Sequence, residues 1–401
     1  MQRRGNTITL SYLIFLLSHF TLAAQVPYLS PPSDPALDSI KPCVMALSWQ
    51  GESFFYNNEF NSSLYTGYTL PGYRLSMTVD HRMDVLHGAG LSFGLQSLQY
   101  WGASRYPSAV AYRDVGYWSD DKSCRGIRLR PFFRAELKPT SRSILVLGNL
   151  YGGTAHKLIE PLYNQELALT ADPETGIQYR YTGDRFESDL WIDWQSFIYK
   201  RDDHQEAFAA GLRSQWTVVK DYTADSLRLN LPIQILAAHR GGEYNLTQDD
   251  TVHTWINGAI GLEFIRNIPH FGGLKLSAAA YLLGYSQRSK HYPLDKGYGL
   301  FADLHASKPY LDLGLSYWQA KNWVAPYGQP FANGLDKDAR PLAGGRSSYI
   351  NGYARLHYHL SPNLSVGGIA TVWLHPHAPR SGFSHSLGVY LAIRPSVVLI
   401  R

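Results

Sequence analysis

Residues 226–237, SLRLNLPIQILA, set Leu227, Leu229, Leu231, Ile233, Ile235 and Ala237 along one side of an extended chain. Ser226, Arg228, Asn230, Pro232 and Gln234 fall on the other. A repeat of two belongs to a β-strand, whose successive side chains point to opposite faces; a helix repeats near 3.6. Working outward, Ile256, Ile260, Leu262 and Phe264 alternate with Trp255, Asn257, Ala259 and Glu263, and Leu364, Val366, Ala370, Val372 and Leu374 continue the pattern. About sixteen such segments are predicted, at 44–56, 70–82, 86–101, 126–138, 141–150, 175–182, 185–200, 207–220, 225–239, 253–267, 273–287, 297–307, 309–319, 347–360, 363–375 and 383–394.

The connections alternate between tight turns, such as Pro139-Thr140, Gly183-Asp184 and Ser361-Pro362, and long loops, such as 57–69, 102–125, 151–174 and 320–346. A soluble sandwich has no reason to produce that asymmetry, and no blade-length repeat of a propeller is visible. Short turns at one end and long loops at the other characterise outer-membrane barrels. Every backbone group in lipid must be paired inside the sheet, and closure removes the edges. The expected fold is therefore all-β, a closed antiparallel transmembrane β-barrel of about sixteen strands with short periplasmic turns and long extracellular loops.

The start of the chain reads as an address. Arg3 and Arg4 precede an apolar run from Ile8 to Leu22, interrupted by Ser11, Ser18, His19 and Thr21 and followed by Ala23 and Ala24. That run is short of the roughly 20 residues of a spanning helix, so a signal peptide is expected at 1–24, a periplasmic segment at 25–42 and the barrel at 43–401. Outer-membrane location with both termini periplasmic follows.

Composition agrees: 28 Tyr, 10 Trp and 35 Gly accompany only 17% charged residues. The net charge of +5, two of it from Arg3 and Arg4, is too small to suggest a nucleic-acid partner. Cys43 and Cys124 support neither a disulfide framework nor a metal site. Asp172 with Glu174, and Asp249 with Asp250, are too few acids for a calcium site. Gly241-Gly242 and Gly344-Gly345 lack the lysine and helix of a phosphate loop, so no cofactor is expected.

The segments 68–73 (YTLPGY), 131–134 (PFFR), 148–161 (GNLYGGTAHKLIEP) and 173–178 (PETGIQ) resemble the porin-like outer-membrane β-barrels of Bacteroidota. The resemblance covers most of the mature chain and implies a barrel in the outer membrane, in a family with no settled substrate.

Alternation assigns the lumen. With Leu129, Pro131 and Phe133 towards lipid, Arg128, Arg130 and Arg134 turn inward on the fourth strand. Asp303 and His305 face inward on the twelfth and Asp312 on the thirteenth. Cations opposite carboxylates would set a transverse field that sorts solutes at a constriction. The competing expectation pairs the arginines with Glu187, Asp189 and Asp193 or with loop residues folded into the lumen. Two long loops, one with His156, Lys157 and Tyr163 and one with Trp323 and Tyr327, are expected to form a lumen constriction or an outer binding surface. Ser384, His385 and Ser386 give a faint resemblance to outer-membrane phospholipases, but no third group is placed beside them. The reading is thus a channel for small hydrophilic solutes and not an enzyme, with a plugged binding platform as the alternative and a lipid esterase third; the expected partners are outer-membrane lipid and solute.

Overall fold

The computed structural model describes residues 44–61, 63–85, 87–101, 128–197, 205–221, 226–241, 252–378 and 382–400. The expected signal peptide, the segment 25–42, Cys43, Cys124, Asp249 and Asp250 lie outside the described residues. Strands β1 (Met45–Glu59), β2 (Tyr68–Met83), β3 (Ala89–Tyr100), β4 (Arg128–Thr140), β5 (Ser143–Asn149), β6 (Thr175–Thr182), β7 (Phe186–Ser196) and β8 (Ala207–Lys220) form one half. The other half is β9 (Leu227–Arg240), β10 (His253–Ile268), β11 (Leu274–Gln287), β12 (Lys296–Lys308), β13 (Leu311–Lys321), β14 (Arg346–Ser361), β15 (Leu364–His375), β16 (Gly382–Ile393) and β17 (Ser396–Ile400).

From β1 to β16 each strand pairs antiparallel with its sequence neighbours, and β1 pairs with β2 on one side and with β16 and β17 on the other. The sheet therefore closes. Strand β17 continues β16 beyond Pro395, which has no N–H for the ladder; β16 meets Gly51–Glu59 of β1 and β17 meets Met45–Ser48. Seventeen segments thus fill sixteen positions of a closed barrel. No described helix is long and apolar enough to cross a membrane.

The outer face carries exposed Leu129, Phe133, Leu282, Leu304, Leu315 and Val389, an apolar band whose natural solvent is lipid. Inward-facing aromatics settle over glycines of neighbouring strands. A Cβ at Gly211 would lie 2.0 Å from the Trp191 ring, and one at Gly388 would lie 2.1 Å from Tyr56. The composition rich in both residue types follows from this packing, in which each ring fills the space a side chain would take.

Two loops fold into the lumen at the long-loop end. The first, between β5 and β6, carries a turn of 3-10 helix at Gly153–His156 and one helical turn at Leu167–Thr170. Its Leu158, Ile159, Leu162, Leu167 and Leu169 are buried, each worth roughly 1.5–3 kcal/mol. The second, between β13 and β14, buries Trp323, Val324, Ala325, Phe331 and Ala332. They bind each other: Asn164 N–H donates to the Tyr327 carbonyl at 2.6 Å, and Gln329 donates from N–H (3.0 Å) and Nε2 (2.9 Å) to the carbonyl and carboxylate of Glu160. They also bind the wall, through Ile159 N–H to Gln234 and through Asn257 Nδ2 to the Val324 carbonyl.

The wall is uneven. Strand β5 has 7 residues and β6 has 8, while β4 has 13 and β7 has 11. Pairing of β4 with β5 reaches only Arg134–Gly148, so among the described residues Arg128–Phe132 has no strand beside it on the side away from β3. Crossing the hydrocarbon takes roughly 9 to 11 residues, so the paired β5 and β6 are each shorter than a full crossing. A notch opens above them between β4 and β7.

Candidate functional site: a cavity through the barrel wall

A cavity of about 200 Å³ occupies this notch. Pro131 and Trp194, which face out of the barrel, line it together with Arg130, Asp172, Glu174 and Asp193 from within. A second cavity, of about 270 Å³, lies in the lumen among Glu52, Arg74, Asp80, Arg134 and Arg394. Asn149, Tyr163, Leu167 and the strap Asp172–Pro173–Glu174 line both. The strap therefore separates the lipid side from the lumen.

Local structure fixes the strap's polar atoms. The short turn at Gly153, whose φ is +61°, directs its N–H to Glu174 Oε1 at 2.9 Å. Glu174 Oε2 meets His156 Nε2 at 2.6 Å, and His156 Nδ1 meets Asp189 Oδ2 at 2.9 Å. The imidazole stacks on Trp191 with ring centres 3.5 Å apart and planes 9° apart. Burial works against its charge, but Glu174 and Asp189 outweigh burial and hold the His156 pKa up at about 9. Burial would also raise Glu174; the His156 charge, its hydrogen bond and the Gly153 N–H bring it below the usual carboxylate range. His156 is then an imidazolium donating from both nitrogens, and Glu174 is an ionised carboxylate aimed at the cavity.

Asp193 accepts from Thr175 N–H at 2.8 Å and from Gln195 Nε2 at 3.0 Å, and the same Nε2 reaches Tyr327 Oη at 2.7 Å. Chemically, the Glu174 and Asp193 carboxylates at the cavity can take a proton, while Asp172 is held by arginines. Among the described residues no group of three or more His, Cys, Asp or Glu is arranged to hold a metal ion.

The structure places Arg128, Arg130 and Arg134 on the inner side of β4, but not across open water from carboxylates. Arg128 and Arg130 both reach Asp172 Oδ2, at 2.9 and 2.8 Å. Arg134 donates to the Asn149 and Leu150 carbonyls and lies over the Tyr151 ring. On the far wall Asp303 and His305 are buried, and Asp312 is bound to Arg355 and Ser307. The expected transverse field is corrected to local pairs, because loops folded into the lumen bring partners within hydrogen-bonding reach. The expected outer surface is corrected too: His156, Tyr163, Trp323 and Tyr327 are buried in the lumen, and Lys157 carries the left-handed residue that ends the 3-10 turn. Tyr163 and Tyr327 line the notch, with rings parallel at 6.5 Å.

Ser384 and Ser386 point inward while His385 points out, so the three do not form one group. Ser384 instead meets His375 at 2.8 Å, buried beneath Phe331. On the outside, Ser348 and His377 lie 2.6 Å apart, with no acid within ion-pair distance of His377 among the described residues. The sequence reading missed the Glu174–His156–Asp189 chain, whose signal was weak: two adjacent short strands flanking a loop that holds the histidine and both strap acids.

Among solved structures, outer-membrane-expressed OmpT of Vibrio cholerae is similar with a TM-score of 0.50 at 10% identity, covering 89% of this chain and 99% of that one. OccK9 (OpdG) of Pseudomonas aeruginosa aligns with a TM-score of 0.49 at 12% identity, over 90% of this chain and 100% of that one. The likeness to OmpT is one of fold, a closed β-barrel. No curated protein matches the sequence. A family described as lipid A 3'-O-deacylase-type matches residues 38–401. That match overturns the expectation that the chain is not an enzyme, since the family is one of deacylases.

Proposed function

The chain belongs to the lipid A 3'-O-deacylase-type family, and from that premise we propose that it hydrolyses an ester-linked acyl chain of lipid A in the outer leaflet. The observation that carries this reading is the notch cavity, which joins lipid-facing Pro131 and Trp194 to the ionised Glu174 through a wall only 7 and 8 residues tall. An acyl chain of a lipid beside β4 and Trp194 reaches the cavity without leaving the membrane. Water reaches the strap from the lumen. Glu174 takes a proton from that water as its oxygen attacks the ester carbonyl carbon. A tetrahedral intermediate forms, with its negative charge on the former carbonyl oxygen. The bond to the sugar oxygen then breaks, and Glu174 returns the proton to it, leaving a fatty acid and a free hydroxyl. His156 positions Glu174 and does not touch the substrate.

Purified barrel incubated with lipid A in mixed micelles is expected to release one fatty acid per lipid, read by mass spectrometry as a drop in lipid A mass. Unchanged lipid A with a correctly folded barrel overturns the proposal. A second reading, passage of small hydrophilic solutes, is favoured by the polar lining of the 270 Å³ lumen cavity. It predicts steady single-channel conductance in a planar bilayer; a silent barrel removes it and leaves the hydrolase reading intact.

A further inference from the structure

Two guanidinium groups converge on one carboxylate oxygen at the mouth of the notch. Arg128 and Arg130 occupy alternate positions of β4, so both side chains leave the same face, and each places an Nη2 within 2.9 Å of Asp172 Oδ2. None of the three is deeply buried: their side chains are 17%, 38% and 20% exposed. They sit along the stretch of β4 that rises above the end of β5, beside exposed Leu129. At this height β4 thus turns apolar Leu129 outward and the charged pair inward, at the open side of the notch.

We propose that Arg128 and Arg130 form a phosphate-binding site for the phosphorylated sugar headgroup of the lipid, and that Asp172 occupies it when the lipid is absent. This inference rests on the hydrolase reading and names the handle by which the substrate is held. A phosphate monoester carries a charge of about −1.5 to −2 and three acceptor oxygens, where the carboxylate offers a single negative charge. Guanidinium groups match phosphate in paired hydrogen bonds, which a lysine ammonium cannot copy. The phosphate therefore outcompetes Asp172 for the two arginines. Headgroup capture at this point leaves the acyl chains against Leu129 and Trp194, at the open side of the notch.

The test is binding of bisphosphorylated lipid A to the detergent-solubilised full chain by native mass spectrometry, beside the same lipid with its phosphates removed. The double variant R128Q/R130Q is expected to bind the phosphorylated lipid about tenfold more weakly or worse, the scale of a lost charge-assisted pair. It should bind the dephosphorylated lipid as wild type does. Asp172→Asn, which removes the competing charge, is expected to bind the phosphorylated lipid several-fold more tightly. Should R128Q/R130Q fail to fold by heat-modifiable gel migration, R128K/R130K keeps the charge, loses the paired geometry and must still weaken binding. Equal affinity of wild type and arginine variants for the phosphorylated lipid overturns the proposal, as does equal affinity of wild type for the two lipids. Displacement of the lipid by millimolar inorganic phosphate assigns the site to the free ion and overturns the headgroup source. Phosphate-dependent binding without acyl release leaves this site standing and removes the hydrolase reading; acyl release with phosphate-indifferent binding does the reverse.

Discussion

Glu174→Gln is expected to lower the rate of acyl release about 10²- to 10⁴-fold, the range spanned by a lost general base. Glutamine keeps the shape of the side chain and an oxygen to accept from Gly153 N–H, a bond of 2.9 Å in the wild type. It cannot take a proton from water. Because the substituted group acts on water and not on the lipid, the loss should fall on kcat while lipid binding is retained. Glu174→Asp, which restores the charge one methylene shorter, should recover part of the rate. The Glu174 pKa lies below the usual carboxylate range, so the wild-type rate should hold across neutral pH and fall only in acid as Glu174 protonates. The measurement is initial rate of fatty-acid release against lipid A concentration. A Gln variant with wild-type kcat removes Glu174 from the chemistry, while a variant that loses only lipid binding makes it a positioning residue.

How much of this was legible in the sequence depends on what enforces each feature. The strands were legible because lipid outside and side-chain packing inside impose opposite demands on successive residues, as in Leu227–Ala237 and Trp255–Phe264. Strand β17 escaped because Val397, Val398, Leu399 and Ile400 are apolar without interruption and all exposed, so no alternation marks them. Inward placement of Arg128 and Arg130 follows from register, but their partner Asp172 lies 44 and 42 residues away on a loop. No local period encodes that distance. Trp323 shows the same limit differently. An aromatic in a long loop reads alike on a rim or in a core, and only its apolar companions Val324, Ala325, Phe331 and Ala332 argue for the interior. The notch could be suspected from the shortness of β5 and β6, whereas the chain from Glu174 through His156 to Asp189 needs three segments brought together in space.

His156→Ala is expected to destabilise the folded barrel by about 3–5 kcal/mol near pH 6, since it leaves Glu174 and Asp189 buried in one pocket without the cation that pairs them. Linkage gives a similar figure independently: raising a histidine pKa from 6.5 to about 9 corresponds to roughly 3 kcal/mol. The sign follows from the direction of that shift. A group whose pKa is higher folded than unfolded contributes fully below its unfolded value, so His156 stabilises most below about 6.5, and the contribution fades as pH rises through about 9. Glu174 behaves oppositely, its contribution present above the ordinary carboxylate pKa and lost as pH falls through its lowered folded value. Urea unfolding in detergent, followed by tryptophan fluorescence, should therefore show a wide gap between wild type and His156→Ala near pH 6 that narrows steadily towards pH 9. Trp191 stacks on the imidazole and loses that partner in the variant, so part of the gap is packing and persists at high pH. A gap that stays constant from pH 6 to 9 makes the whole effect packing and shows His156 to be neutral; a narrowing gap identifies it as the imidazolium that holds Glu174 in place at the notch.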